Sequence, residues 1–428
     1  MMELLYKKFL ENPFISTDSR NIPLGAIFFA LKGDNFDGNK FAQKALDAGA
    51  SMAVIDNPEY LSDGCFLVDN TLNALQRLAN HHRKMLGINI IGITGSNGKT
   101  TTKELLAAVL ATKYNVYATK GNFNNHIGVP LTLLSLTEKN DIAIVEMGAN
   151  HPGDIKELAE IAEPNYGLIT NIGRAHLGGF GSFEGVINTK AELYSFIAGT
   201  GGKVFFNQDN PILCNLLHLH RLEERSVSYG SICKSHQILS NEDNPFLAMS
   251  LATDSGTINV HSSLVGDYNA ENLLAAFAVG LYFNVSLDDT KAAIESYVPS
   301  NNRSQFLKTK TNTVIMDAYN ANPSSMEASI RNFARLDSPN KRVILGEMLE
   351  LGHYAMAEHK KIVDLLMELH VTNALLVGEE FRAVCANFDF FPDSDRCSDY
   401  LTENPMTGCT ILLKGSRGVR LEKLMSIL

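Results

Sequence analysis

IIGITGSNGKTTTKELL, residues 90–106, joins an apolar run to an amphipathic run through a turn rich in glycine. The β-branched residues before the turn are typical of a buried strand, and the apolar positions after it recur at the spacing of one helix face. Gly95 and Gly98 let backbone N–H groups approach phosphate oxygens, and Lys99 supplies a positive charge at a helix N-terminus that favours anions. The segment predicts a triphosphate-binding loop, with Thr100 placed to bind Mg²⁺.

The glycine spacing of this loop is a variant. The standard P-loop has a glycine six residues before the lysine, but that position is Ile93 and the glycine is Gly92. A turn that merely joins a strand to a helix is the alternative, and the adjacent Lys-Thr pair disfavours it. The residues expected around the phosphates are Gly95, Ser96, Asn97, Gly98, Lys99, Thr100 and Thr101.

Length and composition narrow the class of protein. A chain of 428 residues exceeds the size at which one core stops growing, so two or three domains are expected. No run approaches the length of a membrane span and no secretory signal opens the chain, which predicts a cytoplasmic protein without membrane insertion. The six cysteines form no CxxC pair, which argues against zinc, and a net charge of −10 argues against nucleic-acid binding.

Strands alternate with helices along most of the chain, which predicts an α/β fold with parallel sheets. We expect three domains: a small N-terminal α/β domain (1–82), a central P-loop ATPase domain with a parallel sheet (83–298), and a C-terminal Rossmann-like α/β domain (299–428). A less regular stretch, 203–265, leans towards β-structure.

Two candidate metal ligands lie at the carboxyl ends of predicted strands that follow the loop. Open parallel sheets bind their ligands at this edge. Glu146 ends DIAIVEMG and is expected to bind Mg²⁺ directly or through water, the alternative being an acidic residue that simply leaves a strand. His176 follows the next strand and is a candidate second metal ligand or an ordinary loop histidine.

Lys190 interrupts the apolar face of a predicted helix, FEGVINTKAELYSFI. Burial there would lower its pKa and favour the neutral amine, which reacts with CO₂ to give an anionic carbamate that can bridge Mg²⁺. A lysine that extends to solvent is the alternative.

Three further polar residues stand at element ends. The amides of Asn269 and Asn272 match the donor and acceptor edge of a purine, although helix capping suits Asn269 equally well. Asp317 closes the strand TVIMD and is a candidate for ribose hydroxyls or for a turn.

Six blocks of the sequence resemble the Mur ligases, the ATP-dependent amide-forming enzymes of peptidoglycan precursor synthesis. In chain order they are KGNFNNHIGVPLTLL (120–134), VEMGANHPGDI (145–155), AHLGGFGSFEGV (175–186), DAYNANPSSM (317–326), GEMLELG (346–352) and KGSRG (414–418). The resemblance covers nearly the whole chain. The variant loop also matches the GxxGxxGKT form of that family.

The resemblance implies roles for the matching residues. Lys99 would contact the β- and γ-phosphates, and the metal ligands would be Thr100, Glu146, His176 and a carbamylated Lys190. The nucleotide contacts would include Asn269, Asn272, Arg303 and Asp317, although Arg303 lacks the Pro-Gly that the family usually shows before it. The substrate contacts would be Ser19, Arg20, Lys32, Asn124, Asn125, Tyr319, Asn320, Asn322, Lys414, Ser416 and Arg417.

The blocks are most similar to the branch of the family that joins D-Ala-D-Ala to UDP-N-acetylmuramoyl-tripeptide through an acyl phosphate. This resemblance implies ATP and two Mg²⁺ ions as cofactors, and we expect a monomer. Three alternatives are a Mur ligase that adds a single amino acid, a folylpolyglutamate synthase-like ligase, and a nucleotide-binding switch without enzyme activity.

Overall fold

The structure is a computed structural model that describes residues 2–239, 244–254, 256–300, 302–338 and 340–428. A small α/β unit comes first. Its helices and strands are α1 (Met2–Glu11), β1 (Ile15–Ser16), β2 (Ile27–Phe29), β3 (Lys32–Gly33), β4 (Phe36–Asp37), α2 (Ala42–Asp47), β5 (Met52–Ile55), β6 (Cys65–Leu67) and α3 (Thr71–Leu86). Its parallel sheet has the order β1-β2-β5-β6, and β3 pairs with β4 in a separate hairpin.

A larger unit follows, built on a six-stranded parallel sheet. Its elements are β7 (Asn89–Thr94), α4 (Lys99–Leu110), β8 (Val116–Ala118), α5 (Gly128–Leu134), β9 (Ile142–Glu146), α6 (Asp154–Ala162), β10 (Tyr166–Ile169), α7 (Leu177–Phe180), α8 (Phe183–Thr200), β11 (Lys203–Phe206), α9 (Pro211–Leu219), β12 (Ser226–Ser228), β13 (Ser235–Ile238), β14 (Phe246–Thr253), β15 (Gly256–Val265), α10 (Ala270–Tyr282) and α11 (Leu287–Ser296). The sheet order is β12-β11-β10-β7-β9-β8, and β13, β14 and β15 form an antiparallel sheet.

The last unit carries a second six-stranded sheet. Its elements are β16 (Gln305–Lys308), β17 (Thr313–Asp317), α12 (Pro323–Arg335), β18 (Lys341–Gly346), α13 (Ala355–Glu368), β19 (Ala374–Val377), β20 (Asp389–Phe391), α14 (Ser394–Glu403) and β21 (Thr410–Lys414). The order is β16-β17-β21-β18-β19-β20, and all pairs are parallel except β16 with β17. The α/β fold with three units is therefore confirmed.

Strand β7 brings the loop to the sheet edge. It lies between β9 and β10, with Ile93 beside Glu146 and Thr94 beside Ile169. Residues 90–94 are buried, as a strand covered on both faces requires. Helix α4 packs its predicted apolar face into the core through Leu105, Leu106, Val109 and Leu110. Because these strands are parallel, the loop and the ends of β9 and β10 meet at one edge.

The structure refines the sequence reading in two places. The stretch 203–265 contains the nine-residue helix α9 besides its strands, because Asn210 caps a run with an apolar face. In the last unit, β16 and β20 were not among the predicted strands, since both are short and only partly buried. Within the described residues, no helix is both long and apolar enough to cross a bilayer.

Helix α3 joins the first unit to the second and runs across the expected boundary at 82–83, so the domain limits stay predictions. Arg83 lies in its last turn and is buried. Its Nε donates to Ala162 O (3.0 Å), and its Nη2 donates to Glu163 O (2.8 Å) and Asn165 Oδ1 (3.0 Å). The guanidinium thereby holds α3 against the end of α6.

We expect Arg83→Met to lower the free energy of unfolding by about 3 kcal/mol, because it removes hydrogen bonds from a charged donor and leaves buried acceptors unpaired. Arg77→Met is the matched control, since Arg77 is exposed on the same helix. Urea unfolding followed by circular dichroism measures both. Equal losses in the two variants would show that the Arg83 contacts contribute nothing.

Candidate active site

The shape of the loop after β7 requires two of its glycines. Gly95 has φ 144°, and a Cβ there would lie 2.0 Å from Thr170 Oγ1. Gly98 has φ 78°, and a Cβ there would lie 2.4 Å from Asn272 Oδ1. Both backbone conformation and space therefore exclude a side chain, as expected where backbone approaches a ligand closely.

Backbone and side-chain hydrogen bonds hold the loop on the segment that follows β10. Ser96 N donates to Asn171 O at 2.9 Å, and Asn97 N donates to Asn171 Oδ1 at 3.0 Å. Lys99 Nζ donates to Gly95 O at 2.7 Å. Burial lowers the pKa of Lys99; Glu146 opposes this shift and Arg303 adds to it. The ammonium thus sits on the loop carbonyls, and its contact with phosphates stays a prediction.

Glu146 is buried at the end of β9 and accepts hydrogen bonds from α4 and from the segment before α5. Thr100 Oγ1 donates to its two oxygens at 3.2 and 3.0 Å, and Asn124 Nδ2 donates to Oε1 at 2.8 Å. Its backbone N–H donates to Thr119 Oγ1 at 3.0 Å. The loop threonine and the carboxylate therefore form one oxygen-rich site.

Lys103 is a site residue that the sequence reasoning missed. It lies one helical turn after Lys99 on α4 and is only 3% exposed. Its Nζ donates to Thr119 O at 2.8 Å and lies 3.8 Å from Glu146 Oε2. The spacing of four after Lys99 was a visible signal, but only the pairing of β7 with β9 shows which carboxylate it faces.

Thr100 and Glu146 fit a magnesium ion. In the described ranges, no three or more His, Cys, Asp or Glu side chains stand close enough to hold a metal alone. Mg²⁺ keeps several waters and is bound by one or two carboxylates together with substrate phosphates. A hydroxyl and a carboxylate oxygen beside a phosphate loop match that donor set.

His176 lines the same cleft as Glu146 and contacts the last unit. It precedes α7 in the left-handed conformation, with φ 50°, and its Nδ1 contacts Glu350 Oε2 of the last unit. The interaction with His176 lowers the pKa of Glu350, against the opposing effect of burial. The metal-ligand role of His176 stays a prediction, and Glu350, in the GEMLELG block, is a neighbour that the sequence did not indicate.

Lys190 is 2% exposed, so the alternative in which it extends to solvent is wrong. Its Nζ lies 5.3 Å from the centre of the Phe180 ring and has no hydrogen-bond acceptor among the described residues. The pKa of Lys190 is lowered to about 7, chiefly by burial and also by the charge of Lys99, while Asp154 and Glu192 partly oppose the shift. The amine therefore has the burial and the pKa that a carbamate needs, although it does not line the cleft.

Asn269 and Asn272 lie side by side under the loop. Asn272 Nδ2 donates to Asn269 Oδ1 at 2.8 Å, Asn269 Nδ2 donates to Val265 O at 2.8 Å, and Thr102 Oγ1 donates to Asn272 Oδ1 at 3.0 Å. Asn269 makes no capping hydrogen bond to α10, so the capping alternative is wrong. Both side chains are buried, and their role towards a purine stays a prediction.

The last unit presents cations to the same cleft. Asp317 is the last residue of β17, and its Oδ2 accepts a hydrogen bond from the buried Lys414 at 2.5 Å; its role towards a ribose stays a prediction. The Arg303 guanidinium stacks 3.5 Å from the centre of the Tyr319 ring, and Arg417 lies 5.5 Å from that ring. Arg303 follows Asn302, which has φ 57°. Asparagine tolerates this left-handed conformation, so it replaces the glycine that the family usually shows there.

A cleft of ≈ 1040 Å³ runs between the loop and the last unit. The predicted site residues that line it are Ser96, Asn97, Gly98, Lys99, Thr100, Thr101, Asn124, Asn125, Glu146, His176, Asn269, Asn272, Arg303, Asp317, Tyr319, Asn320, Asn322 and Lys414. The predicted residues outside its lining are Gly95, Lys190, Ser416, Arg417, Ser19, Arg20 and Lys32. Asn322 Nδ2 donates to Asn97 Oδ1 at 2.8 Å, so the last unit touches the loop directly.

The candidate substrate residues of the first unit lie elsewhere. Arg20 is exposed and forms an ion pair with Asp18 at 2.7 Å, and Lys32 pairs with the buried Asp56 at 2.8 Å. Ser19 is partly buried in the same turn as Arg20. Their role in substrate binding stays a prediction.

Comparison with models of known protein families identifies the family of this chain. Three family models match: Mur ligase family, catalytic domain, over residues 12–108; Mur ligase middle domain over 93–280; and Mur ligase, glutamate ligase domain, over 302–417. The chain belongs to the Mur ligase family, and it is an amide-forming ligase.

Three relatives are D-alanyl-D-alanine-adding ligases or MurF structures. A UDP-N-acetylmuramoyl-tripeptide–D-alanyl-D-alanine ligase of Bacillus subtilis is 34% identical over 427 residues, covering 96% of this chain and 92% of its own. The MurF structure from Acinetobacter baumannii superposes with a TM-score of 0.87 at 30% identity, covering 96% and 92% of the two chains. The MurF ligase from Thermotoga maritima in complex with ADP superposes with a TM-score of 0.85 at 26% identity, and the match covers 97% of this chain and 96% of that one.

We expect Gly98→Ala to lower the free energy of unfolding by at least about 1 kcal/mol more than Gly153→Ala. Both glycines precede a helix with positive φ, so both variants carry the backbone strain. Only at Gly98 would the new Cβ displace Asn272 and break its hydrogen bond with Thr102, because Gly153 faces open space. Chemical denaturation measures the difference, and equal losses would show that Gly98 is required for backbone conformation alone.

Proposed function

We propose that the protein uses ATP to join D-Ala-D-Ala to UDP-N-acetylmuramoyl-tripeptide, giving UDP-N-acetylmuramoyl-pentapeptide, ADP and phosphate. One observation carries the proposal beyond the likeness to relatives. Thr100, next to the loop lysine, donates its hydroxyl to the buried Glu146 at the floor of a cleft of ≈ 1040 Å³. A pocket of that volume is at the upper end for small-molecule sites and has room for a nucleotide beside a second reactant.

The reaction requires two anions to meet. The terminal carboxylate of the tripeptide attacks the γ-phosphate and expels ADP, and the amine of D-Ala-D-Ala then attacks the acyl phosphate and expels phosphate. Lys99 places one positive charge at the phosphate loop, and Arg303 lies in the lining of the same cleft. Positive groups fixed where charge is transferred lower the barrier without reorganising during the step.

Thr100 and Glu146 would hold the Mg²⁺ that accompanies the nucleotide, and His176 and Lys190 would serve a second ion. Bound Mg²⁺ neutralises phosphate charge and stabilises the transferring group. The ammonium of Lys190 first loses a proton, and the neutral amine then attacks CO₂ and releases a second proton, so that a buried cation becomes an anionic carbamate. The pKa of about 7 supports this step, because roughly half of the amine is then neutral at pH 7.

Asn269, Asn272 and Asp317 would contact the adenosine, and Arg303 the phosphates. The contacts of Asn97 with Asn322 and of His176 with Glu350 tie the last unit to the phosphate side of the cleft. Closure of this unit over bound ATP would exclude water from the acyl phosphate.

The remaining predicted residues would contact the two substrates that receive and supply the peptide. Ser19, Arg20 and Lys32 would contact the uridine nucleotide, and the tripeptide or dipeptide would meet Asn124, Asn125, Tyr319, Asn320, Asn322, Lys414, Ser416 and Arg417. We propose that the protein acts as a monomer. We place the reaction in the cytoplasm, where ATP and UDP-linked precursors are made.

The direct test is phosphate release from ATP with UDP-N-acetylmuramoyl-tripeptide and a set of second substrates. We expect release with D-Ala-D-Ala to exceed release with D-Ala, L-Lys or meso-diaminopimelate by at least about 100-fold, because a site that bonds both ends of a dipeptide leaves groups unpaired with a single residue. Folate substrates are expected to give none. Release that does not depend on the dipeptide would refute the proposal.

Lys190→Ala is expected to lose most activity and to regain part of it with short carboxylic acids, which supply the missing anion. Lys156→Ala is the matched control, since Lys156 is exposed on α6. The neutral fraction of Lys190 rises as the pH increases through about 7, so CO₂-depleted wild-type enzyme should recover more fully after bicarbonate addition at pH 8 than at pH 6. Full activity of untreated Lys190→Ala would exclude the carbamate.

A further inference from the structure

Lys103 is a buried cation that the mechanism above does not use. It follows Lys99 by four residues, so both side chains project from the same face of α4. Its Nζ donates to Thr119 O at 2.8 Å. Buried ammonium groups are costly unless they are paired with a charge, which raises the question of which carboxylate Lys103 serves.

Two carboxylates flank Lys103. Glu104 Oε1 lies 3.9 Å from Nζ, but this side chain is a quarter exposed and also accepts a hydrogen bond from Tyr297 Oη at 2.6 Å. Glu146 Oε2 lies 3.8 Å away and is 2% exposed. Water can solvate Glu104, whereas it cannot reach Glu146 in the same way, so the charge of Lys103 matters more to Glu146.

The hydrogen-bond donors to the Glu146 carboxylate are neutral, and the charge of Lys99 acts on it only from beyond ion-pair distance. Thr100 and Asn124 donate hydrogen bonds to it, but neither carries a charge. Among the described residues, Lys103 is the one cation within 4 Å of this carboxylate. Thr119 links the two further, since its carbonyl accepts from Lys103 and its hydroxyl from the Glu146 backbone.

We propose that Lys103 is a positioning residue that acts as the resident counter-charge of Glu146, neutralising the buried carboxylate and holding it in place while no metal is bound. The part of this inference that concerns metal rests on the proposed function, because Glu146 gains a second cation only when Mg²⁺ arrives with the nucleotide. Lys103 would then keep the metal site assembled between catalytic cycles.

The first test compares the melting temperatures of the wild type and two variants in EDTA, where no metal is bound. Lys103→Met keeps the apolar stem but removes the charge, and we expect its melting temperature to fall by roughly 5 °C or more, because one half of a buried pair is left alone. The double variant Lys103→Met/Glu146→Gln removes both charges. It should recover about half or more of the melting temperature that Lys103→Met loses. If Lys103→Met does not fold, the double variant should fold. A double variant no more stable than the single one would overturn the proposal, since Lys103 would then act by packing.

The second test adds ADP with either EDTA or MgCl₂ and compares melting temperatures. If Mg²⁺ replaces the missing counter-charge, magnesium should stabilise Lys103→Met by several degrees more than it stabilises the wild type. Glu104→Gln is the control, because it removes the other carboxylate near Lys103 and should leave the magnesium effect at the wild-type value. A magnesium effect in Lys103→Met equal to or smaller than that of the wild type would overturn the proposal.

The two tests separate this inference from the proposed function. If the wild type shows no magnesium effect with ADP, the proposed nucleotide chemistry fails, while the EDTA comparison still decides the pairing of Lys103 with Glu146. If the wild type is active with D-Ala-D-Ala but the double variant recovers none of the lost melting temperature, only the counter-charge role fails.

Discussion

A buried negative charge at the carboxyl end of β9 is the constraint on which the rest of the site depends. Glu146 is withdrawn from water, and ionised carboxylates are tolerated there only when hydrogen bonds and cations surround them. Thr100 from the phosphate loop, Asn124 from the following loop and Lys103 from α4 meet this requirement together. Parallel pairing of β7 with β9 is what brings these three groups to one point.

The phosphate loop depends in turn on both of its neighbours. Behind it, Asn171 and Thr170 hold its backbone, and no side chain fits at Gly95 or Gly98. In front of it, the last unit reaches the loop through Asn322. The segment after β10 is also anchored to α12, because the Arg174 N–H donates to Ser324 Oγ. A movement of the last unit would therefore be transmitted to the loop after β7.

Features that are set by neighbouring residues in the chain could be predicted from the sequence. The loop glycines and the buried face of α4 follow from spacing and from residue type, whereas spacing left open whether Lys190 was buried or reached solvent. Lys103 and Glu350 were missed because their partners lie far away in the chain and only strand register or contact between units brings them close. The backbone at Arg303 also escaped prediction, since Asn302 adopts the positive φ that glycine usually provides. The family blocks identified the chemistry, whereas the pairing of the charges required the three-dimensional structure.

The central claim is that this cleft brings a substrate carboxylate to the γ-phosphate of ATP. Labelling the terminal carboxylate of UDP-N-acetylmuramoyl-tripeptide with ¹⁸O and analysing the released phosphate by mass spectrometry tests it most directly. Attack by the carboxylate leaves one of its oxygens on the phosphorus when the amide forms. The account therefore predicts one ¹⁸O atom in each released phosphate when both carboxylate oxygens are labelled, and phosphate free of label would contradict it.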